Sequence, residues 1–151
     1  MRLVVQRVNK AQVLIDHKVF SKINRGLLVL LAVENEDDQT DLQWLVKKLI
    51  SLRIFSDENG RMNLSIKELG GDLMVVSQFT LFGNVKKGSR PSFTRSAKPE
   101  LAIPLYESFL EQCELLLGKK PASGRFGGDM KISLENDGPV TLVLDSKNKN
   151  L

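Results

Sequence analysis

The sequence predicts one α/β domain built on a mainly antiparallel sheet with two principal helices. Short apolar runs of strand length, rich in valine, leucine and isoleucine, open and close the chain. Two longer stretches, near residues 41–52 and 100–117, repeat apolar side chains at helical spacing. The 151 residues, 42% of them apolar, can bury a full core without metals or disulfides, and no repeat, linker or low-complexity segment divides residues 1–151.

Taken in order, Leu3 to Val8 and Ala11 to Ile15 read as strands. Val19 to Ile23 returns across an Asp16-His17-Lys18 turn to pair with the second of them. Leu27 to Val33 is unbroken in its apolar character, which marks a central strand covered on both faces. Thr40-Asp41-Leu42-Gln43 fits a capping box, and Leu42, Leu45, Val46, Leu49 and Ile50 then give one apolar face, so a helix is predicted from about Asp41 to Leu52. Asp57-Glu58-Asn59-Gly60 is a turn, followed by Met62 to Ile66 as loop or short strand. Leu73 to Val76 is a second strand buried on both faces.

The second long helix lies between Glu100 and Leu117, with Gly118 as its stop. Pro104 requires either that it begins around Leu101 or that its opening is kinked. Met130 to Leu134 and Val140 to Leu144 read as two strands joined by Glu135-Asn136-Asp137-Gly138-Pro139. The tail from Lys147 to Leu151 is expected to fray.

Composition excludes several chemistries. His17, the only histidine, falls at a hairpin tip, and Cys113, the only cysteine, falls among helical leucines as a buried inert thiol. A zinc site and a Ser-His-Asp triad both lack partners, so no metal and no cofactor is expected. The longest apolar run is far too short to cross a bilayer, and a soluble cytoplasmic protein is expected. A net charge of +4 permits nucleic acid without requiring it.

The stretch from Asp72 to Phe93 organises the functional reading. After the buried strand, Ser77, Gln78 and Thr80 set two hydroxyls and an amide around Phe79, where a turning backbone can also offer N–H groups to a carbonyl oxygen. Lys86, Lys87 and Arg90 follow on a glycine-punctuated loop. Such a site suits a substrate with a small reacting end and a polyanionic body. The loop is not a nucleotide P-loop, because lysine precedes Gly88 and Arg90-Pro91 blocks the helix that should follow. Gly124-Arg125-Phe126-Gly127-Gly128 lacks dinucleotide spacing. Asn136-Asp137-Gly138-Pro139 is an unusual turn, its proline removing a donor at a strand start. On residues alone, an enzyme and a binding module both remain open.

Ser77-Gln78-Phe79-Thr80-Leu81 and Asn136-Asp137-Gly138-Pro139-Val140-Thr141 resemble the two hallmarks of the D-aminoacyl-tRNA deacylases. The agreement includes Val4-Val5-Gln6-Arg7-Val8, Lys87-Gly88-Ser89-Arg90-Pro91-Ser92-Phe93 and Gly124-Arg125-Phe126-Gly127-Gly128-Asp129-Met130. It departs at Phe82-Gly83, where a larger aromatic and alanine are commoner, and at Gly128, often alanine. The resemblance implies a homodimer that hydrolyses the ester between a D-amino acid, or glycine, and the terminal adenosine of tRNA. It further implies a cis peptide at Gly138-Pro139 inserted into the neighbouring subunit's pocket, so that the active sites are shared and L side chains are excluded. Phe126 and Met130 match positions near the pocket, and Arg7 one that braces the turn. The ester carbonyl would be polarised by backbone amides near Gln78 and Phe79, with water or the terminal ribose attacking and Thr80 serving as scaffold. The runner-up is a non-catalytic tRNA or RNA end-binding module using Lys86, Lys87 and Arg90.

Overall fold

The computed structural model describes residues Met1–Leu151, and its spine is the first strand, β1 (Arg2–Ile15). Leu3, Val5, Val8, Ala11, Val13 and Ile15 are buried along it. The two predicted strands here are one. Asn9 and Lys10 are exposed between the apolar runs, but polar side chains facing solvent do not interrupt a backbone ladder.

β2 (Lys18–Ile23) pairs with the second half of β1 and β3 (Gly26–Ala32) with the first half, both antiparallel. The β1–β2 turn has Asp16 and His17 at φ 51° and 62°, as a two-residue hairpin requires. β3 runs parallel to β6 (Asp72–Ser77), and β6 parallel to the two-residue β7 (Ala122–Ser123), so the sheet is mixed and its parallel part was not foreseen. The Ser21 hydroxyl donates to the Ser123 carbonyl at 2.7 Å, tying β2 to β7 and curling the sheet toward a barrel.

Both faces of β3 and β6 are covered, as their unbroken apolar runs predicted. Val8, Val13, Leu28, Met74 and Val76 meet inside the curl. On the other face Leu3, Val5, Leu27, Val29, Leu73 and Val75 pack against α1 (Gln39–Ser51) and α3 (Pro99–Leu117) through Leu42, Leu45, Leu49, Leu105 and Phe109. The α1 cap is Asp38, not Thr40: its carboxylate accepts from the Thr40 and Asp41 amides while Asp41 reaches back to the Asp38 amide. α3 starts at Pro99, where proline is pre-organised, and keeps Pro104 inside. Cys113 is buried in this layer, and burial pushes its thiol up to about 12, which leaves it inert.

Of the small elements, the short strand after the Asp57–Gly60 turn is one of the two forms expected from the sequence, whereas its partner strand and the following helical turn escaped the sequence reading. Phe55–Ser56 (β4) and Met62–Leu64 (β5) form a separate hairpin, and Ile66–Leu69 is a one-turn helix, α2, capped by Ser65 and Glu68.

The largest correction concerns the C-terminal strands. The stretches read as two strands, Met130 to Leu134 and Val140 to Leu144, fall, apart from Met130, in one strand, β8 (Lys131–Asp145), whose two halves both pair with β1, from Leu14↔Lys131 to Arg2↔Asp145. Val8 pairs with Asn136 and Gln6 with Thr141, so Asp137 to Val140 bulge out opposite Arg7 alone. The tail is tied at its start, Lys147 reaching the Asp41 carboxylate at 2.7 Å and the Glu36 carbonyl at 3.1 Å. No helix is long and apolar enough to cross a membrane.

Candidate active site

The site begins where β6 ends. The Gln78 amide extends the parallel ladder one residue past the strand by donating to the Leu31 carbonyl at 2.7 Å. The chain then folds into a 3₁₀ turn, Phe79–Phe82. The amides of Phe79 and Thr80 stand at the open N-terminal end of that turn, with no acceptor among the hydrogen bonds of the chain. Of the two amides expected to polarise a carbonyl, that of Gln78 is therefore engaged and that of Phe79 is free.

Side chains lock this turn. The Ser96 hydroxyl donates to the Phe79 carbonyl at 2.8 Å. The Gln78 side-chain amide donates to the Thr80 hydroxyl. Phe79, 56% exposed, meets Phe93 edge-on with centroids 5.2 Å apart.

Next to the turn lies a cavity of about 310 Å³. Leu31, Val33, Val76 and Ala102 form its apolar floor, Ser77, Gln78 and Phe79 one wall, and Phe126 to Met130 with Ile132 the other. Phe126 is set by Tyr106, whose ring it meets edge-on at 5.9 Å and whose hydroxyl donates to the Val75 carbonyl at 2.8 Å. Burial pushes the Tyr106 phenol up to about 12, so it is neutral and structural. Met130 fits because Gly124 has no side chain: a Cβ there would lie 2.5 Å from the Met130 sulfur.

Ser77, Gln78, Phe79, Phe126 and Met130 thus converge on one cavity. Thr80 is exposed and lies outside the lining. Lys86, Lys87 and Arg90 are exposed on a loop closed by paired backbone bonds between Asn84 and Ser92, at 2.8 and 2.9 Å. Because Phe93 follows Ser92 and packs on Phe79, the basic loop is anchored to the pocket rim. No titratable base other than Asp129 lines the cavity, and its carboxylate is paired with Lys131 at 2.9 Å. No group of three or more potential metal ligands occurs.

Gly138 and Pro139 are joined by a cis peptide and are exposed, away from this cavity. Arg7 is buried and holds their protrusion, with Nε 3.0 Å from the Asp137 carboxylate and Nη1 donating to the Ile54 carbonyl at 2.6 Å. Asn136 clamps the neck by donating to the Arg7 and Val140 carbonyls at 2.9 and 3.0 Å. Phe93 and Asp129 lie within the motifs that carry the resemblance but were given no role, and Ser96 and Ala102 were missed outright; no local pattern marks the last two, since each reaches the site only through tertiary packing.

A family profile described as D-Tyr-tRNA(Tyr) deacylase matches residues 4–145. A D-aminoacyl-tRNA deacylase of Flavobacterium psychrophilum is 56% identical over 149 residues, 99% of each chain. Among solved structures, a c-Myc DNA unwinding element binding protein superposes with a TM-score of 0.91 at 39% identity, covering 96% of this chain and 98% of that one. A further structure, described as that of a "probable eukaryotic D-amino acid tRNA deacylase", shares the fold, with a TM-score of 0.82 at 21% identity over 95% and 97% of the two chains. With this match across nearly its whole length, the chain belongs to the D-Tyr-tRNA(Tyr) deacylase family, a family of hydrolases.

Proposed function

We propose that this chain, as a cytoplasmic homodimer, hydrolyses the ester between a D-amino acid, or glycine, and the terminal adenosine of tRNA, releasing tRNA and the amino acid. The observation that carries the reading is the free Phe79 amide at the lip of an apolar cavity, beside an anchored loop of three unpaired cations. The aminoacyl group enters the cavity and its carbonyl oxygen accepts from the Phe79 N–H, with Thr80 N–H next to it. Water, or the neighbouring ribose hydroxyl followed by water, adds to the carbonyl carbon. The resulting oxyanion collapses, the carbon–oxygen bond to the ribose breaks, and the proton lost by the attacking oxygen ends on the ribose oxygen. Preorganised donors of this kind account for a large share of catalysis where no strong base is present.

Chirality is read by exclusion. Gly138 and Pro139, at the tip of the Asp137–Val140 protrusion, are exposed and lie outside the cavity of their own subunit, which supports insertion into that of a second copy, where the carbonyls hold the substrate ammonium and crowd the side on which an L side chain would project. The decisive experiment is hydrolysis of matched D- and L-aminoacyl-tRNA. The D ester is expected to be cleaved and the L ester spared; cleavage of neither would leave the RNA end-binding alternative, which the nucleic-acid-binding name of one structural relative favours.

Two substitutions test the parts. Thr80→Ala removes only an exposed hydroxyl bonded to the Gln78 side chain, so its single-turnover rate should fall less than about 10-fold, given the modest worth of an exposed hydrogen bond. Complete inactivity with the fold intact would make Thr80 the nucleophile. Replacing Lys86, Lys87 and Arg90 together with alanine should spare the chemical step. It should lower the slope of log affinity for tRNA against log salt by about 2 to 3, since each phosphate contact contributes roughly 0.7 to 0.9. An unchanged slope would return these residues to the role of a solvated loop.

A further inference from the structure

β2 carries a bulge. Val13 of β1 pairs with Ser21 and Leu14 with Val19, which leaves Phe20 without a partner across the ladder. Bulges re-aim a side chain out of the regular pleat, and Phe20 is 45% exposed. The Arg125 guanidinium lies over its ring, 5.4 Å from the centroid. Both members are fixed to the pocket: Ser21, the next residue, is hydrogen-bonded to the Ser123 carbonyl, and Arg125 runs directly into Phe126 of the cavity wall. Arg125, Lys18 and Lys22 are all exposed, and none makes an ion pair.

An exposed ring held under a guanidinium, with two unpaired lysines on the same strand, has the chemistry of a platform for single-stranded nucleic acid: a base stacks on the aromatic or guanidinium face and phosphates meet the cations. An apolar protein partner fits worse, because it would desolvate the unpaired cations without compensating them. We propose that Phe20 and Arg125 form a stacking platform for an unpaired nucleotide of the tRNA 3′ end, the strand that leads to the aminoacylated adenosine in the cavity. This inference rests on the deacylase reading above and extends it. It assigns the strand a path over the β2 bulge, in addition to the cationic Lys86–Arg90 loop.

The test compares wild type, Phe20→Ala, Phe20→Trp and Arg125→Ala on two substrates, D-aminoacyl-tRNA and D-aminoacyl-adenosine, the second lacking every upstream nucleotide. Phe20→Ala should raise KM for the tRNA substrate by about 5-fold to 150-fold, the loss of one stacked base, with kcat unchanged. Phe20→Trp should restore it, Arg125→Ala should shift KM in the same direction, and no variant should change the rate on aminoacyl-adenosine. An unchanged KM for tRNA in both alanine variants, or an equal change on both substrates, would overturn the platform. So would a fall in oligomer mass for Phe20→Ala, which would make the bulge a subunit contact. If wild type cleaves neither substrate, the deacylase reading fails by itself. Binding of fluorescently labelled uncharged tRNA then decides: weakening by the same factor supports the platform, and unchanged affinity removes it.

Discussion

Phe79→Pro is expected to deacylate D-aminoacyl-tRNA about 100-fold to 1,000-fold more slowly than Phe79→Ala in single turnover, the effect of losing one oxyanion donor. Both variants delete the exposed ring and its edge contact with Phe93, so that loss cancels in the comparison. Only proline deletes the N–H. The position tolerates it: Phe79 is the first residue of a 3₁₀ turn, where φ is near the value proline imposes, and its amide gives up no internal hydrogen bond. Thermal melts should therefore stay close together while rates separate. Equal rates for the two variants would show that the oxyanion is bound elsewhere.

Gly138→Ala should lower kcat/KM for D-aminoacyl-tRNA by about 100-fold and narrow the preference for D over L. Gly138 has φ +115°, a region that L side chains rarely adopt and that costs about 1–3 kcal/mol. A Cβ there would also lie 2.8 Å from Arg7 Nη2 and 2.9 Å from a Val140 methyl. Arg7 cannot yield freely, because its guanidinium is bonded to the Ile54 carbonyl and the Asp137 carboxylate. The protrusion must move instead. A displacement of roughly 1 Å in a positioning element is enough for a loss of that size. Because the exposed turn packs on little else, the fold should survive, as a near-native melt would confirm.

Combining the two lesions tests the shared site. In a mixed dimer of Phe79→Pro and Gly138→Ala subunits, a turn that serves its partner leaves one pocket with both an intact amide and an intact turn, and activity should return toward half of wild type. A turn that serves its own subunit leaves no intact pocket. No recovery after verified subunit exchange would exclude sharing.

Much of this molecule was legible in the residues because the relevant physics is local. Unbroken apolar runs at residues 27–33 and 73–76 announced strands covered on both faces, since a fully buried strand must be apolar at every position. Helical periodicity placed α1 and α3 to within about two residues. The hairpin tip at Asp16-His17 and the polar exit at Ser77–Thr80 followed from turn chemistry and from the change of character at a strand end. Two motifs, Ser77–Leu81 and Asn136–Thr141, carry the family resemblance in the residues alone.

Tertiary structure decided what depends on partners distant in sequence. Whether residues 131–134 and 140–144 form two strands or one turns on their common partner, β1, more than a hundred residues earlier; a local turn signal cannot register that. The same holds for the amide of Gln78, removed from the chemistry by the Leu31 carbonyl, and for Ser96, which fixes the Phe79 carbonyl from the far side of the basic loop. The sequence by itself determined the two long helices, the central strands with their buried faces, and the family, because spacing and side-chain polarity act over a few residues. Only the folded chain decided which backbone donors stay free, which carbonyl and carboxylate hold Arg7 against the Gly138-Pro139 protrusion and which phenylalanine leaves the sheet, because each depends on hydrogen bonds and register between segments that meet only after folding.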